Sequence, residues 1–229
     1  MKKSSQLLLF IMLIISTLQI NAQNKLKGKI ALSANYGIGY RTAKAKNTNA
    51  AEKEIIDQLR GGITFDIKVG YQTDTKSYIG LTFSTFSSDA TLSNLLFVEP
   101  NGTAGSGTIQ NSQTINFIGI GGGLCDKGFL KNDTMLLDMY LGYIDIKSNE
   151  KYKNTYVTTG ANLGISANLS YYFGINKHIK FGPSVSFSGG VLKQYTTKGP
   201  NYENTVKFPD NEGESLYRFN IMFGTYIQL

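Results

Sequence analysis

The sequence has little from which a metal site or a disulfide could be built. Its 229 residues contain one cysteine, Cys125, one histidine, His178, and no tryptophan. A single cysteine cannot form an internal disulfide, and one cysteine with one histidine does not supply the usual ligand cluster of a zinc site. We therefore expect no cofactor and no metal, and a fold stabilised by hydrogen-bonded secondary structure and burial.

Long apolar runs are also missing after the N-terminus. The first residues carry two lysines, followed by an apolar stretch from Leu7 to Ile20 and a short polar end at Gln23, which is the layout of a secretory signal peptide. We predict cleavage after Ala22, so residues 1–22 are the signal peptide and residues 23–229 form one exported domain. Because no cysteine lies near the cleavage site, a lipid-modified N-terminal cysteine is excluded.

Charge is sparse and dispersed. The formal net charge of +7 includes the two lysines of the signal peptide, and the remaining basic residues do not form a block. This pattern does not indicate a nucleic-acid partner. The abundant residues are glycine, tyrosine and phenylalanine, at 25, 14 and 13 copies. Such a composition suits strands with aromatic faces joined by tight turns.

The dominant pattern is the alternation of apolar and polar residues, which is the period of a β-strand. About eight segments of roughly ten residues show it, the usual length of a membrane-spanning strand. In one segment the apolar face is Ile63, Phe65, Ile67, Val69 and Tyr71, and the opposite face is Thr64, Asp66, Lys68 and Gly70. The fourth segment, Gln113 to Leu124, has an uncertain phase, because Ile115 and Phe117 fall on the face opposite Ile118 and Ile120.

The predicted connections alternate between short and long, as in outer-membrane barrels. The long ones are Arg41 to Gly61, Ser87 to Ser112 and Thr196 to Glu214. Within the first, Ala50 to Arg60 is predicted to be a short helix. Leu92, Leu95, Leu96, Phe97 and Val98 are unusually apolar for a loop, and we expect them either to cover the mouth of the barrel or to contact a partner.

The polar faces indicate a membrane barrel. They consist mainly of Gly, Ser, Thr and Asn, which fit a narrow barrel interior. A lysine such as Lys68 would cost about 2–4 kcal/mol at the lipid face, whereas inside it can pair with a carboxylate. We therefore place Asp66, Lys68, Asp138 and Arg218 in the lumen as an ion-pair network, with a proton or ion pathway as the alternative. The sheet must close, because unpaired backbone groups in hydrocarbon cost several kcal/mol each.

With these features the chain resembles the small, eight-stranded, porin-like outer-membrane β-barrel family. The C-terminal residues Gly224, Tyr226, Ile227 and Leu229 resemble that family's insertion signal, although the family usually ends in Phe and has a polar residue where this chain has Met222. The resemblance implies the barrel-assembly machinery as a partner, and outer-membrane lipid and lipopolysaccharide as surroundings. The Ala-Gln end of the signal peptide resembles signal peptides of Bacteroidota.

Catalysis is not expected. His178 is the only histidine that could serve as the base of a serine hydrolase, and it lies in a predicted tight turn, away from the long loops. The segment Gly119 to Gly123 lacks the Lys-Ser/Thr of a phosphate-binding loop and is interpreted as close packing in the sheet. The prediction is an all-β, antiparallel, up-and-down transmembrane barrel in the outer membrane, with a structural or surface-binding role through its long loops. The alternatives are a soluble periplasmic lipocalin-like carrier and a small lipid-modifying barrel enzyme.

Overall fold

Eight antiparallel strands form a closed ring in the computed structural model, which describes residues 28–42, 50–74, 76–98, 104–130, 132–152, 154–210 and 212–229. The predicted signal peptide, residues 1–22, lies outside the described residues. The ring strands are β1 (Ile30–Arg41), β2 (Gly61–Gln72), β3 (Ser77–Val98), β4 (Ala104–Lys127), β5 (Thr134–Lys151), β6 (Thr155–Gly174), β7 (Ile179–Leu192) and β11 (Arg218–Gln228). Three shorter strands are β8 (Gln194–Gly199), β9 (Tyr202–Lys207) and β10 (Glu214–Ser215).

The first and last strands close the ring. Strand β1 pairs with β11 from Ala31 opposite Gln228 to Arg41 opposite Arg218, and β6 pairs with β7 on the far side. The prediction of an antiparallel barrel of about eight strands is confirmed. The predicted short helix is also confirmed as α1 (Ala50–Arg60), and it packs mainly against β3, where Gln58 Oε1 accepts a hydrogen bond from the Thr91 amide at 3.0 Å.

The outer surface of the ring carries a band of large apolar side chains. On β5 the outward residues are Met135, Leu137, Met139, Leu141 and Tyr143, all of them exposed. The inward residues of the ring are mostly small or polar, and many are buried. This arrangement fits a wall with hydrocarbon outside. Among the described residues, none belongs to a helix that is both long and apolar enough to cross a bilayer.

The phase of the fourth strand is now clear. Ile118 and Ile120 point outward and are more than half exposed, whereas Ile115 and Phe117 point inward and are completely buried. Ile115 and Phe117 are apolar because their side chains help to fill the lumen. Apolar residues on both faces therefore obscure the alternation in this strand.

Two of the predicted long loops are instead largely strand. Strands β3 and β4 continue through most of the segment from Ser87 to Ser112 and pair as far as Val98 opposite Ala104. In the segment from Thr196 to Glu214, β8 and β9 form a hairpin that extends the sheet beside β6, beyond the end of β7. Past the apolar band, water can contact both faces of a strand, so these extensions need no apolar alternation.

The barrel therefore has two different ends. The turn end consists of short turns at 73–76, 128–133 and 175–178, together with the C-terminus. The open end is where β3 to β6 rise above the band and carry the β8–β9 hairpin. At the turn end, Asp133 accepts hydrogen bonds from Tyr171 Oη at 2.6 Å and from the Gly174 amide at 3.0 Å. These two hydrogen bonds hold the pKa of the Asp133 carboxyl below its ordinary value, and the bond from Tyr171 has the larger effect.

The apolar band gives a prediction about stability in a bilayer. We expect Met139→Arg to lower the free energy of unfolding in lipid vesicles by about 2–4 kcal/mol, because the arginine would face hydrocarbon. Asn149→Arg, on the same face of β5 but beyond the band, should cost about 0–1 kcal/mol. Urea titration of the two variants measures the difference. Equal costs would show that the band does not face lipid.

Candidate functional site

The lumen of the barrel is closed by two clusters of buried side chains. The turn-end cluster consists of Tyr78, Leu136, Tyr172 and Tyr226. The open-end cluster consists of Phe86, Ile115, Phe117, Tyr140, Ile144, Ile146, Leu192 and Leu216. Beside the turn-end cluster lies a cavity of about 20 Å³, roughly the space of one water molecule. An eight-stranded ring filled in this way does not leave an open channel.

A belt of buried charge lies between the two clusters. Lys68 Nζ is 3.3 Å from each oxygen of Asp138 and 3.7 Å from Asp66 Oδ2. Asp138 also accepts hydrogen bonds from Tyr78 Oη at 2.5 Å and from Asn168 Nδ2 at 2.6 Å. Buried charges are tolerated when they are paired and their remaining lone pairs are occupied. Here one lysine serves two carboxylates, and neighbouring side chains supply further donors.

Arg218 lies in the same belt but apart from this group. Its side chain is completely buried, and it donates to Ser188 Oγ at 3.0 Å, to the Ile115 carbonyl at 2.8 Å and to Ser84 Oγ at 3.0 Å. Its guanidinium lies 5.9 Å from the centre of the Phe86 ring. Of the four predicted lumen charges, the structure thus brings three together and surrounds the fourth with neutral oxygens. The negative charges of Asp66 and Asp138 are balanced by the positive charges of Lys68 and Arg218.

The predicted insertion signal lies on β11 and the residue that follows it, at the seam of the ring. Tyr226 points inward, is nearly completely buried and stacks on Tyr172 at 5.5 Å between ring centres. Leu229 is largely exposed. Gly224 faces β1 so closely that a Cβ placed there would lie 2.2 Å from the Ala34 carbonyl oxygen. A larger residue at this position would push the closing strands apart. Ile227 is half-buried beside them.

A second group of polar residues, at the open end, was not predicted from the sequence. Arg41 is 7% exposed and donates to Gln113 Oε1 at 2.7 Å, to Glu214 Oε1 at 3.1 Å and to the Ser215 carbonyl at 3.0 Å. Its Nε is buried and has no hydrogen-bond partner among the described residues. Arg41 follows the inward positions Asn35, Gly37 and Gly39 in steps of two. This alternation indicates that Arg41 also points inward, and it could have identified Arg41 from the sequence.

Arg41 lies in the wall of a large open cavity, which we call the cup. The cup has a volume of about 740 Å³, within the usual range of about 300–1,000 Å³ for ligand pockets. Polar side chains of β4, β5, β6 and β8 line it, with Ile146 and Leu192 from the open-end cluster. Its lining residues are Arg41, Asn111, Gln113, Ile146, Ser148, Glu150, Tyr156, Thr158, Leu192, Tyr195, Thr197, Tyr202 and Glu214.

His178 lies at the opposite end of the molecule from the cup. It is exposed in the turn at 175–178, where its Nδ1 is 2.9 Å from the Gln228 carbonyl oxygen and Asn176 Oδ1 accepts its backbone amide at 2.8 Å. The first contact ties the turn to the C-terminal strand, and the second lies within the turn. Within the described ranges, no three His, Cys, Asp or Glu side chains are placed to hold a metal ion together.

The buried belt gives a second prediction. Lys68→Met should lower the free energy of unfolding by about 3–5 kcal/mol, because it leaves two carboxylates buried without their cation. Lys198→Met is the matched control. Its partner Glu203 lies at 3.0 Å but both side chains are exposed, so that substitution should cost about 0–1 kcal/mol. Adding Asp138→Asn to Lys68→Met should recover part of the loss in urea titrations. Similar costs for the two lysine variants would contradict a stabilising role of the belt.

Comparisons with known proteins agree with this architecture. No family model matches the sequence, and no curated protein matches it. Among solved structures, a major outer membrane protein from Thermus thermophilus matches with a TM-score of 0.55 at 9% identity, over 89% of this chain and 100% of that chain. The outer membrane protein OprG from Pseudomonas aeruginosa matches with a TM-score of 0.52 at 11% identity, over 87% of this chain and 96% of that chain. The chain therefore has the fold of the outer-membrane β-barrels.

Proposed function

We propose that this protein is a non-catalytic surface-binding protein of the outer membrane. In this proposal the barrel is the anchor, and the open end, with its cup, faces outward to carry the binding function. The C-terminus and short turns then face the periplasm. The protein would reach the membrane as a secreted precursor and would be inserted by the barrel-assembly machinery, with lipid and lipopolysaccharide around its apolar band.

One contrast in the structure carries the proposal. The lumen is filled at two levels, whereas the cup above it is open and lined by polar groups. A protein that conducted solutes through the barrel would need an open lumen. Binding sites are commonly built on loops and extensions held by a rigid scaffold, and here paired strands rather than free loops hold the lining residues in place.

Two alternative functions, a soluble lipocalin-like carrier and a lipid-modifying enzyme, have less support. A lipocalin-like carrier would place its large apolar residues inside, around a ligand, but most of those in this barrel lie on the outer surface. A lipid-modifying hydrolase would need its base near the outer leaflet, and His178 lies at the turn end. The residues Leu92 to Val98, considered as a partner contact, form the end of β3, and Leu92 is buried inward.

The anchor and the closed lumen can be tested together. We expect the protein to fractionate with the outer membrane and to migrate differently on SDS gels before and after boiling, because a closed barrel resists SDS until heated. In planar bilayers the purified protein should add no steady conductance, since side chains fill the lumen. Recovery in the soluble periplasm would refute the anchor. A stable single-channel conductance would refute the closed lumen.

A further inference from the structure

We propose that the cup binds a neutral oligosaccharide. This inference rests on the proposed function and names the chemical class of its ligand. A sugar ring presents two kinds of surface, a face of C–H groups and a rim of hydroxyl groups. A site that binds it needs aromatic rings for the first and side chains that both donate and accept hydrogen bonds for the second. The cup contains both.

The aromatic surface comes from Tyr156, Tyr195 and Tyr202. Tyr156 and Tyr202 meet edge to face, with 6.4 Å between ring centres and an interplanar angle of 79°. Tyr195 packs against Phe208, with 5.6 Å between ring centres, and this contact helps to hold its ring in place. Tyr202 is 51% exposed, so its ring is available to a ligand. Tyrosine suits this task because its ring is apolar while its hydroxyl stays polar.

The hydrogen-bonding surface consists mainly of short neutral side chains held by one another. Ser148 Oγ donates to Asn111 Oδ1 at 2.8 Å, and the hydroxyls of Thr158 and Thr197 are 2.8 Å apart. Such pairs fix the side chains while leaving further donors and acceptors for a ligand, since a hydroxyl can donate one hydrogen bond and accept two. They are placed around the cup by the pairing of β4 with β5 and of β6 with β8.

Arg41 supplies a fixed polar group in the wall of the cup. Its side chain is more than nine-tenths buried and lines the cup, yet Nε has no partner among the described residues. Because Nε is itself covered, a ligand would contact the small exposed part of the Arg41 side chain and its neighbours Gln113 and Glu214, which also line the cup. The rest of the guanidinium is held by Gln113 and Glu214, so its position does not depend on the ligand.

The charge of the cup favours a neutral ligand over an anionic one. Its lining has one cation, Arg41, which is paired with Glu214, and a further carboxylate, Glu150. A phosphate, a sulfated sugar or an acidic lipopolysaccharide core would meet no unpaired cation among these lining residues. Sites for such groups normally use clustered Arg and Lys.

The test is binding of the purified protein to an array of immobilised glycans. The protein should be kept in an amine-oxide detergent, because maltoside and glucoside head groups are themselves sugars. The array should hold neutral gluco-, manno- and galacto-oligosaccharides, sulfated oligosaccharides and lipopolysaccharide core oligosaccharides. We expect binding to neutral members. The affinity of the strongest one is then measured by calorimetry.

Three variants separate the cup from the rest of the barrel. Tyr202→Ala should weaken binding of that oligosaccharide by about tenfold or more, because it removes a contact ring. Tyr202→Phe keeps the ring and should retain most of the affinity. Tyr143→Ala, on the outward face of β5, should bind like the unmodified protein. All three should keep the unboiled mobility of a folded barrel on SDS gels.

The possible failures are distinguishable. A protein that is folded and in the outer membrane but binds no neutral glycan overturns this inference and leaves the anchor intact. Binding restricted to sulfated or lipopolysaccharide-derived glycans overturns it too, since the charge argument is then wrong. Equal affinities of Tyr202→Ala and Tyr143→Ala would place any binding outside the cup. Failure of the anchor itself appears separately, as recovery of the protein in the soluble periplasm.

Discussion

The pairing of β1 with β11 is the interaction on which the rest of the structure depends. It joins the two ends of the sheet along the full length of both strands. In hydrocarbon an unpaired backbone group has no water to bind, so an open edge would cost several kcal/mol for each group. Closure removes both edges at once. It also brings the inward residues of all eight ring strands into one narrow lumen. The limited volume of that lumen restricts which side chains can occupy these positions.

That space is filled rather than open. Glycine and small polar side chains allow the strands to approach one another, and two clusters of larger side chains close the lumen above and below the charged belt. Lys68 between two carboxylates and Arg218 among neutral oxygens are both buried and both satisfied. In the proposed function the barrel is a support. In that proposal, the surface that meets other molecules is the taller wall at the open end.

Apart from the short helix α1, the parts of this fold that could be predicted from the sequence are those that lipid imposes. Alternation predicted the ring strands and the outward faces of all but the fourth. It also predicted the inward placement of Asp66, Lys68 and Asp138, because a charged residue in the band has only one acceptable side. Above the band this constraint ends. The extension of β4 and the β8–β9 hairpin are mostly polar on both faces, and the extension of β3 ends in an apolar run, so none of them shows the alternation of a membrane-spanning strand.

The candidate site could be predicted less well, for two physical reasons. Contacts such as that between Lys68 and Asp138, 70 residues apart, depend on strand register across several strands, which alternation alone does not specify. The cup is assembled from the ends of strands and from the β8–β9 hairpin, so no local motif marks it. Only Arg41 carried a usable signal, as the last inward position of β1.

The central claim, that odd-numbered residues of β5 face lipid and even-numbered ones face a filled lumen, can be measured directly. In a Cys125→Ala background, a spin label is placed at each position from Met135 to Tyr143 in lipid vesicles, and its collision rates with oxygen and with a water-soluble nickel complex are recorded. Odd positions should show high oxygen and low nickel accessibility, and even positions should be low for both. High nickel accessibility at the odd positions would contradict a membrane-spanning barrel.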